Sequence, residues 1–217
     1  MSSAIATMTI ICTDNNGEVE QMVTEIHSKE KTTIGKKDIP KQFQSMEKVS
    51  DVHFDYTFSR KKKQVEIKPK DKSFGVYSFA NESKTTVVGN RSFILANTKF
   101  TIIDFNSNPN NAVLQYSNIT EEKEPAYTSL KKDKVYIIGR SPTTQENEEI
   151  VEVDTDPKIS RSHCKLFFNK ETLEWNIEDL NSHNGIYVKL KRSRQTIKWD
   201  QFVRIGVSTY VYFSIDE

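Results

Sequence analysis

The apolar residues of this chain fall in short segments that often alternate with polar positions. The segments are rich in Val, Ile, Phe, Tyr and Thr, the residues that β-strands favour. No stretch keeps a helical period over three turns, and even residues 18–28 contain the β-favouring Val23, Thr24 and Ile26. The pattern therefore predicts an all-β sandwich or barrel with little helix. The clearest runs are Met8–Cys12, Val65–Ile67, Phe100–Ile103, Val135–Ile138, Phe202–Ile205 and Tyr210–Phe213.

The pattern repeats once along the chain. Lys48–His53 matches Lys158–His163 at a shift of 110 residues, and no gap is needed from there to the end of the match. Upstream, Thr33–Lys36 matches Ile137–Arg140 at a shift of 104 residues. The difference between 110 and 104 is a loop six residues longer in the second copy, placed between strands where length changes cost little.

Two copies of one β unit predict two domains. Residues 1–106 form the first predicted domain and residues 112–217 the second. Residues 107–111 are the predicted linker, because their asparagines and proline form turns and do not extend a strand ladder. A chain of 217 residues gives each half enough length to bury its own core.

Three short motifs follow one another in the second copy: Gly139-Arg140, Ser160-Arg161-Ser162-His163 and Asn181-Ser182-His183-Asn184-Gly185. A phosphorylated side chain carries nearly two negative charges and three acceptor oxygens. A site that selects it needs an always-charged guanidinium with hydroxyl and amide donors on adjacent loops. Arg140 meets the first need, since the glycine before it ends an apolar run and lets the backbone turn.

The order and spacing of these motifs resemble the phosphate-reading loops of forkhead-associated (FHA) domains, over roughly residues 112–217. The resemblance implies two tandem FHA-type β-sandwich domains, of which the second binds phosphothreonine peptides. It implies that Arg140 binds the phosphate, that the Ser160 hydroxyl donates to it, and that Arg161 adds backbone and side-chain contacts. Asn184 matches the asparagine that holds the main chain of the bound peptide.

Four further residues take their expected roles from the same resemblance. His163 matches a structural histidine that braces the binding loops, and Gly139 and Gly185 belong to the turns of the motifs. His183 stands where family members usually have Thr or Ser, whose hydroxyl assists the phosphate. Either a ring nitrogen of His183 donates instead, with stronger binding below about pH 6.5, or the side chain points to solvent and leaves a weaker site.

The first copy lacks this chemistry. Its matching residues are Lys36, Ser50, Asp51 and Phe74. Lysine has no planar bidentate fork, aspartate repels a phosphate dianion, and phenylalanine cannot hold a peptide backbone. We therefore expect a degenerate FHA-like first domain that serves packing, protein contacts or self-association.

Composition excludes several classes of function. Lys and Arg number 31 against 30 Asp and Glu, so no net charge draws the chain to nucleic acid or to an anionic membrane. Cys12 and Cys164 lie far apart in sequence, and the four histidines are not spaced as metal ligands. No catalytic motif and no run of about 18 apolar residues is present. We expect no enzyme, cofactor, metal or membrane span, and an intracellular protein, in the nucleus rather than the cytoplasm.

The leading hypothesis is a phosphothreonine-peptide-binding adaptor that recruits a kinase-modified partner through its second domain. A phosphorylation-independent scaffold or dimer is the first alternative. Nucleic-acid binding through the basic hairpin at residues 60–72 is the second. A solvated hairpin with edge lysines explains those charges better, because no ordered aromatic platform accompanies them.

Overall fold

The computed structural model describes residues 6–13, 18–27, 30–44, 48–59, 61–62, 64–80, 85–87, 92–104 and 111–215. Regular structure there is strand, apart from one 3-10 turn at Lys36–Asp38, which confirms the all-β class. No helix within these ranges has the length and apolar character to cross a membrane.

The strands of the first half are β1 Ala6–Thr13, β2 Val19–Ile26, β3 Lys31–Ile34, β4 Phe54–Ser59, β5 Gln64–Pro69, β6 Tyr77–Phe79, β7 Thr85–Val87, β8 Ser92–Leu95 and β9 Thr98–Asp104. Those of the second half are β10 Asn111–Asn118, β11 Ala126–Lys131, β12 Val135–Gly139, β13 Glu148–Glu152, β14 Cys164–Asn169, β15 Glu174–Asp179, β16 Ile186–Lys189, β17 Gln195–Lys198, β18 Phe202–Arg204 and β19 Thr209–Ile215.

The first of two compact units, unit 1, comprises Met1–Phe79 and Lys189–Glu217. One of its sheets has the strand order β2-β1-β19-β18-β6, and the other has the order β17-β5-β4-β3. Burial alternates along β1, as the two-residue period of a strand requires. The core of unit 1 includes Met8, Ile10, Phe54, Phe58, Val65, Ile67, Ile197, Val203, Val211 and Phe213.

Unit 2 comprises Ala80–Val188. Its sheets have the strand orders β11-β10-β9-β8-β16 and β13-β12-β14-β15-β7. Trp175 is only 1% exposed, so it is a core residue and not a surface on which a peptide stacks. The core of unit 2 includes Phe93, Phe100, Ile102, Leu114, Tyr136, Ile138, Leu166, Trp175, Ile177 and Ile186.

Each unit contains strands from both predicted copies. Strands β7–β9 belong by sequence to the first copy but lie in unit 2, and β17–β19 belong to the second copy but lie in unit 1. Ile67 of β5 pairs with Gln195 of β17, and Ile177 of β15 pairs with Thr85 of β7. A shift of 110 residues converts one pair into the other, so the two copies exchange equivalent strands at the same register.

The compact units therefore differ from the predicted domains 1–106 and 112–217. Chain boundaries between the units fall after Phe79 and after Val188, because each set of exchanged strands pairs with the other copy's sheets. Asn111 of the predicted linker begins β10, and residues 107–110 lie outside the described residues.

The exchange predicts that core substitutions in β7–β9 act on unit 2 and those in β17–β19 act on unit 1. Ile102, from the first copy, is fully buried in unit 2, and Ile197, from the second copy, is 2% exposed in unit 1. Truncation of either to alanine leaves a cavity that costs about 2–5 kcal/mol. In hydrogen-exchange mass spectrometry we expect Ile102→Ala to lower amide protection in residues 135–188, and the matched Ile197→Ala to lower it in residues 48–79. Protection losses confined to the copy that carries each substitution would contradict the exchange.

Candidate functional site

The loop of Arg140 lies against the loop of Ser160 because Gly139 has no side chain. A Cβ atom on Gly139 would stand 1.9 Å from the carbonyl oxygen of Arg161, closer than any real contact. At this approach the Arg140 N–H donates to the Ser160 carbonyl oxygen at 3.0 Å. The Ser141 N–H donates to the Arg161 carbonyl oxygen at 3.2 Å. Main-chain bonds thus hold the first two motifs side by side.

His163 joins the second motif to the third. Its ring is fully buried; Nδ1 accepts the Ser160 N–H at 3.2 Å, and Nε2 lies 3.0 Å from the Gly185 carbonyl oxygen. Because Nδ1 accepts, Nε2 carries the proton and donates to Gly185, so both nitrogens are satisfied in the neutral ring. Burial lowers the pKa of His163, although the bond to Gly185 and the charge of Asp179 oppose the shift. The geometry is that of a brace between loops.

The third loop returns hydrogen bonds to the second. The His183 N–H donates to Ser160 Oγ at 3.1 Å, and Asn184 Nδ2 donates to the Lys158 carbonyl oxygen at 2.7 Å. Gly185 adopts a positive φ of 64°, which favours glycine, and its N–H donates to Ser182 Oγ at 3.0 Å. The site residues predicted from all three motifs therefore lie on adjoining loops of unit 2.

Charged and polar donors line these loops in accessible positions. Arg140, Arg161 and His183 are exposed, and Ser160 and Asn184 are half-buried. Ser160 Oγ uses a lone pair to accept the His183 N–H, so its own hydrogen is available to donate to a ligand. A hydroxyl donor on a loop that adjoins two exposed arginines suits an anion with several acceptor oxygens.

Unit 1 contains the same framework. A Cβ on Gly35 would stand 1.9 Å from the Asp51 carbonyl oxygen, and the Lys36 N–H donates to the Ser50 carbonyl oxygen at 2.9 Å. His53 Nδ1 accepts the Ser50 N–H at 3.3 Å, while Nε2 lies 2.8 Å from the Gly75 carbonyl oxygen. The close approach of the glycine, the main-chain bond to the serine carbonyl and both ring bonds of the histidine are thus the same in the two units.

The groups that would meet a ligand differ between the units. Ser50 Oγ donates to the Val52 carbonyl oxygen at 3.0 Å, so its hydroxyl hydrogen is directed to the protein's own backbone. Phe74, in the position of Asn184, is 4% exposed and packs edge-on against Tyr77 at 5.5 Å. Asp71 accepts the N–H groups of Phe74 and Gly75 at 2.8 and 2.7 Å. At the positions of Ser160 and Asn184, unit 1 thus has contacts within its own fold.

Sequence reasoning missed Asp156 and Lys158, which support the Ser160 loop. Asp156 is 1% exposed, and the Lys158 carbonyl oxygen receives the Asn184 side chain. Both residues lie in the 139–160 interval, which is six residues longer than its first-copy counterpart. Lys158 matches Lys48 of the first copy, whereas Asp156 lies in the stretch that contains the insertion, which was the available signal.

One lysine of the basic hairpin has an acidic partner, since Lys70 Nζ lies 3.3 Å from Asp55 Oδ2. Glu66, an acid of the same hairpin, pairs with Arg194 at 3.3 Å. The Lys61 and Lys62 side chains are exposed, while Arg60 and Lys63 of the same predicted patch lie outside the described residues.

No group of three or more His, Cys, Asp or Glu side chains within the described ranges has the arrangement of a metal site. Both cysteines, Cys12 and Cys164, are buried thiols, and desolvation raises the pKa of Cys164 well above that of an exposed thiol. A buried thiol with a raised pKa is a poor nucleophile and a poor metal ligand.

Comparison with known proteins identifies the module. Residues 136–206 match the family model described as the FHA domain, which confirms the resemblance of the three motifs. An FHA domain is a phosphothreonine-binding protein-interaction module and not a catalytic fold. The match runs from β12 to β18, so it covers every motif residue and continues into strands that lie in unit 1.

Among solved structures, the chain is similar to the FHA domain of CT664 protein from Chlamydia trachomatis at 22% sequence identity. That similarity covers 58% of this chain and 98% of the other, with a TM-score of 0.22. A search of curated proteins gives no match.

The two buried histidines predict a loss of stability in mild acid. Burial is the main cause that lowers the pKa of both His53 and His163 below 6.5. As the pH falls through 6.5, these histidines bind protons in the unfolded chain more readily than in the native state. The free energy of unfolding therefore falls. The fall is at most about 1.4 kcal/mol per pH unit for each histidine. Urea titrations between pH 7.5 and 5.5 should show it.

Replacement of one buried histidine should remove about half of this slope, so His163→Gln is the informative variant. His27→Gln is the control, because His27 is exposed. Stability that is constant or rises as the pH falls would show that neither buried ring resists protonation.

Proposed function

We propose that the protein is an adaptor that binds phosphothreonine peptides through the loops of unit 2 and so recruits a kinase-modified partner. Arg140 and Arg161 supply positive charge, Ser160 donates its hydroxyl to the phosphate, and Asn184 holds the peptide main chain. His183 completes the edge of the site. Unit 1 is proposed to provide packing or protein contacts, including self-association.

One contrast carries this proposal. Ser160 Oγ accepts a main-chain N–H and keeps its hydrogen for a ligand, whereas Ser50 Oγ donates its hydrogen to the Val52 carbonyl oxygen. The framework of glycine and histidine is otherwise the same in both units. The open donors of unit 2 therefore offer an anionic ligand a hydroxyl hydrogen that unit 1 directs to its own backbone.

The expected affinity is about micromolar. A hydrogen bond to a charged group is worth roughly 1.5–3 kcal/mol net, and this site offers three or four of them. Four bonds at the upper end of this range total about 12 kcal/mol, and the lowest cost of association, about 4 kcal/mol, leaves about 8 kcal/mol, which corresponds to a dissociation constant near 1 μM. Binding of this strength is readily reversed when a phosphatase removes the phosphate.

Arg140→Ala is expected to abolish measurable phosphopeptide binding and to leave the melting temperature nearly unchanged. Arg140 is exposed, so its truncation removes charge-assisted bonds worth at least about 2–3 kcal/mol without opening a cavity. Calorimetric titration with a peptide selected from an oriented phosphothreonine library measures the loss. Lys36→Ala, the equivalent change in unit 1, should titrate like the wild type. Superimposable titrations of wild type and Arg140→Ala would overturn the proposed site.

Partners captured from cells are expected to dissociate when the complexes are treated with a phosphatase. The reason is that the open donors of unit 2 select an anion, while neutral threonine offers a single hydroxyl. Capture with Arg140→Ala should resemble the phosphatase-treated sample. Partners that stay bound through both changes would favour a phosphorylation-independent scaffold.

A further inference from the structure

A buried carboxylate fixes the loop that carries Ser160. Asp156 is 1% exposed, and its Oδ2 accepts the Asn97 N–H at 2.8 Å and the Thr98 hydroxyl at 2.9 Å. Its Oδ1 accepts the Lys158 N–H at 3.1 Å. A buried carboxylate is tolerated only when it has such hydrogen-bond partners. Asp156 therefore fixes its loop to Asn97 and Thr98.

The supporting partners come from the first copy. Asn97 and Thr98 stand at the turn of the β8–β9 hairpin, which lies in unit 2 because of the strand exchange. Thr98 is 1% exposed, and the Asn97 carbonyl oxygen accepts the Ile119 N–H at 2.8 Å. The turn is thus a fixed anchor within unit 2, although 58 residues of chain separate Thr98 from Asp156.

A short series of bonds connects this anchor to the site. Asp156 holds the N–H of Lys158, and the carbonyl oxygen of Lys158 accepts the Asn184 side chain at 2.7 Å. The Ile159 N–H donates to the Asp156 carbonyl oxygen at 3.0 Å, and the Ile159 side chain is buried. Ser160 is the next residue. The main chain that presents Ser160 and orients Asn184 is therefore set by Asp156.

We propose that Asp156, Asn97 and Thr98 form a clamp through which the first copy completes the phosphopeptide site of unit 2. The inference rests on the proposed function and adds positioning residues that do not touch the ligand. It assigns the β8–β9 hairpin a part in binding, although the Ser50 hydroxyl and the Phe74 ring of the first copy's own loops make contacts within unit 1.

Thr98→Val in the full chain tests the clamp. Valine keeps the shape of the side chain and removes its hydroxyl bond to Asp156. We expect about tenfold weaker binding of the library-selected phosphothreonine peptide, with affinity restored in Thr98→Ser. Thr209→Val is the matched control, because Thr209 is equally buried but its hydroxyl meets Cys12 Sγ in unit 1 at 3.5 Å. That control should bind like the wild type.

A second measurement separates the clamp from the proposed function. The Asn184 side-chain amide signals in a ¹⁵N correlation spectrum report the bond to Lys158 without any peptide. They should shift in Thr98→Val and in Asp156→Ala, and should stay in place in Thr209→Val. If the wild type binds no phosphopeptide, the proposed function is wrong and these signals alone decide whether the clamp exists. Unmoved Asn184 signals, or wild-type affinity in Thr98→Val, would overturn the inference.

Discussion

The two hydrogen bonds of the His163 ring are the constraint on which the rest of the site depends. Each nitrogen is buried, and an unpaired buried polar group costs about 1–3 kcal/mol, so the ring is satisfied only while both loops remain in place. Gly139 adds a steric requirement, because its main chain approaches Arg161 more closely than any side chain permits. The positions of Arg140, Ser160 and Asn184 therefore follow from the main chain and one buried ring. None of these supporting groups needs to contact a ligand.

Unit 1 shows that this framework and the binding chemistry are separable. His53 makes the same two bonds, and Gly35 makes the same close approach. What differs is the direction of the Ser50 hydroxyl and the burial of Phe74, which together leave protein-to-protein contacts where unit 2 has open donors. A histidine between two loops thus stabilises the fold in both units, whereas an exposed arginine with an available serine hydroxyl occurs in unit 2.

The sequence alone was sufficient to predict those features that depend on short segments and their spacing. Alternating apolar runs predicted the strands, and the spacing of the Arg140, Ser160 and Asn184 motifs predicted which loops meet and which module they define. The strand exchange was not accessible in this way. Ile67 pairs with Gln195 in the same register in which Ile177 pairs with Thr85. Strands β7 and β17 are therefore equivalent in the repeat, and their sequence patterns do not tell which of the two sheets each one joins. Asp156 was also not predicted, since its partners are distant in sequence and its loop is six residues longer than the counterpart in the first copy.

The two predicted copies differ in the chemistry of their loops. The strand exchange makes them depend on each other in packing. Phe93 and Phe100 from the first copy stack at 4.9 Å within the core of unit 2. Loss of such large buried side chains costs about 3–5 kcal/mol each, a substantial part of the stability of a domain. A change at Phe100 therefore acts on the unit that carries the open donors, whereas a change at Phe74 acts on unit 1, although both residues belong to the first copy. The three matching loops of the first copy belong to unit 1, whereas its C-terminal strands complete the core of unit 2 and the clamp that holds the Ser160 loop.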